Sequence, residues 1–135
     1  MSCKSAIYTA NTSVQTLAVG SEIDLGNIIR RFGSNVNLNG DAININGSGY
    51  YDVSASFTIT GTNAGTVNIV LLKDGVAIPG AVASVVVAVG DVVTIPIKAL
   101  VREFGCCYDN NSNLTFVLTG TAESITNASV VVERI

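Results

Sequence analysis

At 135 residues, with seven Lys+Arg against ten Asp+Glu, the chain has room for one domain and carries a formal charge of −3. It contains no His and no Trp, which excludes Ser-His-Asp and Cys-His nucleophiles and His-ligated metal centres. Charged residues make up 13%, about half the share usual in soluble domains, and no basic run extends beyond Arg30-Arg31, so a nucleic-acid footprint is lacking.

What replaces the charge is Asn, Ser and Thr, while Val, Ile and Thr together form about a third of the chain. β-Branched side chains favour strands, so the composition alone predicts an all-β domain. The longest apolar run, residues 85–89, is a strand's length and far too short for a membrane span. The N-terminus leads into polar residues rather than an apolar signal core, and the expectation is a chain made in a cytoplasm without a signal peptide.

In chain order, residues 5–9 and 14–19 are short strand candidates, and residues 25–32 hold the one candidate helical turn. Residues 36–38 and 42–45 follow as short strands. The clearest alternation is Gly49–Thr60, with Tyr51, Val53, Ala55, Phe57 and Ile59 on one face and Asp52, Ser54, Ser56, Thr58 and Thr60 on the other. That is the pattern of a half-buried antiparallel strand. Residues 66–73 resume it, and Asp74-Gly75 suits the positive φ angles of a tight hairpin. Pro79 and Pro96 remove ladder donors, predicting a kink and an edge strand or bulge. Residues 81–89 and 92–101 are strands, 104–113 reads as a loop, and residues 114–120 and 127–134 close the chain. About ten strands with turns every ~8–12 residues indicate a sandwich or barrel. With no internal repeat or linker, residues 1–135 form a single domain. Residues 1–20, short and polar strands set off by Gly20 and Gly26, are expected to add little core and to serve as an assembly arm.

Two strands have no polar side. Residues 81–89 are apolar on both faces, and Val130-Val131-Val132 places an apolar group on each side of the last strand. A small domain has one core, so a second subunit is expected to cover the other face. On this reading Val130 faces the core and Val131 the partner.

The motifs Gly49-Tyr50-Tyr51-Asp52-Val53, Leu71-Leu72-Lys73-Asp74-Gly75, Gly90-Asp91-Val92-Val93 and Ala128-Ser129-Val130-Val131-Val132 stand in the order found in the tumour-necrosis-factor/complement-head jelly rolls. Residues 40–135 resemble that superfamily. Ser5-Ala6-Ile7-Tyr8, Ile29-Arg30-Arg31-Phe32-Gly33, residues 71–81, 114–118 and 130–135 resemble more closely small jelly-roll proteins of Gram-positive bacteria and their phages and prophages. The likeness implies an all-β, roughly ten-stranded antiparallel jelly-roll sandwich. It also implies a homotrimeric virion component docked on a capsid or tail protein lattice, such as a capsid decoration or head-fibre protein at the virion surface. In such a jelly roll the first strand lies beside the last, at the sheet facing the other subunits, where Ile7 and Leu17 would supply apolar groups.

The candidate chemistry is sparse. Cys3, Cys106 and Cys107 are either three reduced thiols, a vicinal pair, or a cross-subunit disulfide; without His they suit zinc poorly, and no metal or cofactor is expected. Asp109-Asn110-Asn111-Ser112-Asn113 offers oxygen ligands in a row, but without EF-hand spacing it reads as an Asx-rich turn. The acids sit mainly in turns (Asp41, Asp74, Asp91), with nothing bringing two of them into one cleft, so no enzyme is expected. Arg30, Arg31 and Phe32 form a cationic-aromatic cluster that either docks on an acidic surface or caps a short turn. Tyr51 points into the sandwich, and Tyr50 outward to a neighbour or a carbohydrate. The alternatives to a virion protein are a carbohydrate- or receptor-binding head of a phage tail and a spore or cell-surface assembly subunit.

Overall fold

Strict alternation decides most of the architecture. In the computed structural model, which describes residues 4–103 and 111–135, Gly49–Thr60 is one unbroken strand with every second side chain buried. Eleven strands are present among the described residues: β1 (Ala6–Asn11), β2 (Gln15–Leu17), β3 (Asn27–Phe32), β4 (Val36–Asn39), β5 (Ala42–Asn46), β6 (Gly49–Thr60), β7 (Gly65–Lys73), β8 (Val76–Val87), β9 (Val92–Glu103), β10 (Asn111–Gly120) and β11 (Glu123–Arg134). All pair antiparallel. One sheet runs β3-β1-β11-β6-β9, with β2 also on β11; the other runs β4-β5-β10-β7-β8. The fold is the expected all-β jelly-roll sandwich.

The two sheets close on one another over a shared core. Tyr51, Val53, Phe57 and Ile59 from β6 and Val130 and Val132 from β11 meet Ile43, Ile69, Leu71, Leu114, Phe116 and Leu118 from the opposite sheet. The Phe57 and Phe116 rings cross the interface with centroids 5.0 Å apart and planes tilted by 59°, the inclined arrangement that aromatic quadrupoles favour. Residues 20–23 add a partial strand beside β10: Gly20 donates to the Leu118 carbonyl (2.7 Å) and Ile23 to that of Phe116 (2.8 Å), which draws Ile23 and Leu25 into the core.

The hairpin at 74–75 has the expected geometry. Asp74 and Gly75 both adopt positive φ, 50° and 81°, matching the twist of the flanking strands. Pro79 and Gly80 lie within β8, where the register against β7 slips between Val70 and Leu72. Here β8 is the outer strand of its sheet, so the missing proline donor costs no ladder bond. Pro96 lies on β9, the edge of the other sheet. Val82 and Val86 face outward from β8 while Ala81 and Val87 are buried, so the doubly apolar strand does expose one of its faces.

Three expectations are corrected. Residues 27–32 form strand β3, not a helical turn, because they pair with β1 from Asn27↔Ala10 to Phe32↔Ala6. Asn111, Ser112 and Asn113 begin β10 rather than ending a loop; pairing with Asn46, Ile45 and Asn44 satisfies their backbone. The N-terminal segment does contribute core: Ile7 and Thr9 are buried, and β1 lies inside its sheet between β3 and β11.

Glu123 is a fully buried carboxylate that organises the β6–β7 turn. Its Oε1 accepts the Thr62 and Asn63 amides, both at 2.8 Å, and the Thr62 hydroxyl at 3.2 Å. Glu123→Ala strands those donors and is expected to destabilise by about 3 kcal/mol, read from urea unfolding, with Glu123→Gln losing less because an acceptor remains. A loss below ~1 kcal/mol for the alanine variant would show that the turn holds itself.

Candidate assembly interface

The outward face of the β3-β1-β11-β6-β9 sheet is assembled row by row from the strand register. One row runs Arg30, Tyr8, Val131, Ser54, Lys98; the next runs Phe32, Ala6, Glu133, Asp52, Leu100; a third runs Asn27, Ala10, Ser129, Ser56, Pro96. Small side chains, Ala6, Ala10, Ser54, Ser56 and Ser129, alternate on it with larger apolar groups: Tyr8 and Val131 are each 36% exposed, Leu100 59% and Phe32 60%. The Asp52–Lys98 pair (3.1 Å) is the one salt bridge among the described residues, and its Lys98 partner is mostly in water. This face mixes exposed apolar groups and small polar side chains with charges of both signs at Arg30, Asp52, Lys98, Arg102 and Glu133, a composition found where proteins meet.

The structure separates the residues expected to act there. Val131 and Tyr50 are on this face, as are Arg30 and Phe32. Arg31, opposite Ile7, turns the other way and its Nε donates to the Val36 carbonyl at 2.7 Å, tying β3 to the second sheet. The cluster is therefore split across the two faces of β3, with Arg31 bonding across the β3–β4 turn. Ile7 is corrected as an interface residue, being only 1% exposed within its own core; Leu17 is half-buried and packs on that core. The guanidinium of Arg102 lies 5.8 Å from the centre of the Tyr50 ring, a cation–π contact. Cys3, Cys106, Cys107, Asp109 and Asn110 lie outside the described residues.

One end of the sandwich is locked by a polar network. The Tyr51 hydroxyl donates toward the Asn46 (2.6 Å) and Gly47 (2.8 Å) carbonyls, Asn35 Nδ2 donates to the Asn46 carbonyl, and the Ser5 hydroxyl donates to Asn35 Oδ1. These contacts gather the chain's start, the β3–β4 turn and the β5–β6 turn around β6. Burial pushes the Tyr51 phenol above its ordinary value of 10.0; Arg134 pulls the other way and Glu103 adds to the rise. The folded state thus holds this proton more tightly than the unfolded chain does. The stabilisation is complete below about pH 10 and is lost as pH climbs through the folded value. Tyr51→Phe is expected to cost about 1–2 kcal/mol at neutral pH and to flatten the alkaline fall in thermal melts. An unchanged fall would assign it to another group.

The sequence placed no two carboxylates together, and here the structure differs. Glu22, Asp41 and Asp74, from three separate segments, line one cleft of about 290 Å³ on the opposite sheet. Tertiary contact between the β4–β5 turn, the β7–β8 turn and residues 20–23 brings them together. Among the described residues no group of three or more acids or thiols is arranged to hold a metal ion, and no helix is long and apolar enough to cross a membrane.

No family model matches the chain, and no curated protein matches it by sequence. Solved structures do. The vertex protein P5 of PRD1 matches with a TM-score of 0.65 at 12% identity, over 100% of this chain and 99% of that one. Murine APRIL at pH 5.0 gives 0.69 at 9% identity over 98% and 99%, and Eiger, a tumour necrosis factor from S. frugiperda, gives 0.68 at 9% over 98% and 92%. The globular domain of zebrafish complement 1qA protein gives 0.66 at 6%, over 96% and 95%. What this chain has in common with them is a fold, the tumour-necrosis-factor/complement-head jelly roll.

Proposed function

We propose that the chain is a non-enzymatic structural protein that assembles as a homotrimer through the outward face of the β3-β1-β11-β6-β9 sheet and forms part of a virion surface, as a capsid decoration or head-fibre protein. The observation that carries this reading is the composition of that face: the exposed apolar groups Tyr8, Val131, Phe32 and Leu100 among the small side chains of Ala6, Ala10, Ser54, Ser56 and Ser129, with charges of both signs at Arg30, Asp52, Lys98 and Glu133. A copy that covers it buries those apolar groups and can set charges of opposite sign against one another. The shared fold with a PRD1 vertex protein supports the virion assignment, and the phage-protein motifs of the sequence point the same way. A glycan-binding head is less favoured, since the chain has no Trp and the exposed Tyr50 ring already carries Arg102. Light scattering at micromolar concentration is expected to return three times the 13.9 kDa chain mass. A monomer mass would overturn the trimer, and absence of the chain from purified particles by mass spectrometry would overturn the virion assignment.

A further inference from the structure

Two asparagines of the chain precede glycine, in Asn39-Gly40 and Asn46-Gly47. A following glycine carries no side chain to hinder its own amide nitrogen, which can swing toward the asparagine side chain. The two pairs are alike in sequence, and the fold sets them in opposite surroundings. Asn46-Gly47 is held at backbone and side chain. The Asn46 amide donates to the Asn35 carbonyl at 2.8 Å, and its Nδ2 donates to the Ser34 carbonyl at 3.2 Å. Its carbonyl accepts Asn35 Nδ2 at 2.8 Å and lies 2.6 Å from the Tyr51 hydroxyl, which also reaches the Gly47 carbonyl at 2.8 Å.

Asn39-Gly40 stands at the tip of the β4–β5 hairpin, where Asn39 pairs with Ala42 across a two-residue turn. Both residues are exposed, and open space surrounds Gly40, whose φ is 63°. β4 is four residues long and lies at the edge of its sheet, beside β5 alone. The tip of a short edge hairpin opens at low free-energy cost, whereas freeing Asn46 means undoing its bonds to Ser34, Asn35 and Tyr51. We propose that Asn39 is a site of spontaneous deamidation by water, and that the fold protects Asn46 from the same reaction. When the turn opens, the Gly40 amide nitrogen gives up its proton to water and attacks Asn39 Cγ. The new N–C bond closes a cyclic imide, and the side-chain nitrogen leaves as ammonia. Water then adds to one of the two imide carbonyls. Breaking the bond from the Gly40 nitrogen to Cγ leaves aspartate; breaking its bond to the Asn39 backbone carbon leaves isoaspartate, with the chain rerouted through Cβ and Cγ. The sum exchanges ammonia for water without moving electrons between groups, and it adds one negative charge to the formal −3. That charge arises beside Asp41 in the same turn, where like charges oppose each other and favour further opening. The hairpin belongs to the sheet opposite the proposed trimer face, so the inference does not rest on assembly.

The test is incubation of the intact chain at mildly alkaline pH, then digestion with a protease that cuts before aspartate, then mass spectrometry. Asp24, Asp41 and Asp52 place the two pairs on separate fragments. An aspartate product adds a cut before residue 39, and an isoaspartate product does not. In the folded chain Asn39 is expected to convert about tenfold faster than Asn46, or more, because each rate follows the population of its opened state. In concentrated urea the two should convert at similar rates. Tyr51→Phe should speed conversion at Asn46 and leave Asn39 unchanged. Asn39→Gln should abolish the reaction at position 39, since glutamine must close a larger and slower ring. Equal rates at the two sites in the folded chain, faster conversion at Asn46, or a folded chain unchanged at Asn39 would overturn the proposal. An Asn46 rate that ignores Tyr51→Phe would overturn its protection by the fold.

Discussion

Val130→Asp is expected to abolish folding, whereas Val131→Asp should leave a folded monomer. The two residues are adjacent on β11, and the strand's period of two sends them to opposite faces. Val130 is fully buried beside Ala55. An aspartate there must either bury its charge or take up a proton, and either costs several kcal/mol out of the ~5–15 kcal/mol that holds a domain together. Val131 lies between Tyr8 and Ser54 and is 36% exposed, so an aspartate reaches water in the isolated protomer. In the proposed trimer the same charge would be taken out of water, which disfavours assembly. Circular-dichroism melts and light scattering on both variants separate fold from assembly. A Val131→Asp protein that still sediments as a trimer would move the interface to another face.

Deleting residues 2–10 is expected to leave no cooperatively folded protein. The segment reads from sequence as a dispensable arm, but its pairing is on both sides: β1 bonds β11 from Ala6↔Glu133 to Asn11↔Ala128, and β3 from Ala6↔Phe32 to Ala10↔Asn27. Removing it detaches β3, bares the edge of β11 and withdraws Ile7, a residue worth about 2 kcal/mol of apolar burial on its own. It also removes Ser5, whose carbonyl accepts the Arg134 amide at 2.8 Å and whose hydroxyl anchors Asn35. Together these losses are expected to exceed what a marginally stable domain can give up and remain folded. A dispersed amide spectrum and an unchanged urea midpoint for the truncated chain would show that β1 is an accessory strand after all. Ile7→Val is the milder companion, expected to lower stability by about 1 kcal/mol without changing assembly.

The alternation of Tyr51, Val53, Ala55, Phe57 and Ile59 determined a strand and its buried face, and Asp74-Gly75 determined a hairpin, because side-chain direction and turn dihedrals are local properties. Pro96 pointed to an edge strand or a bulge for the same reason, a missing donor being a property of the residue itself, and β9 is an edge. By contrast, residues 27–32 are exposed throughout and carry no period, so only the neighbouring β1 makes them a strand. Whether β1 lies at an edge or inside its sheet depends on where β3 returns, over twenty residues later in the chain. The acidic cleft is the strongest case. Glu22, Asp41 and Asp74 are scattered singly through turns, and only the folding of the β4-β5-β10-β7-β8 sheet with residues 20–23 brings their carboxylates around one space. Long-range pairing carries no local signature in the residues it joins, so the strands and their faces belong to the sequence, and the neighbours they meet belong to the tertiary structure.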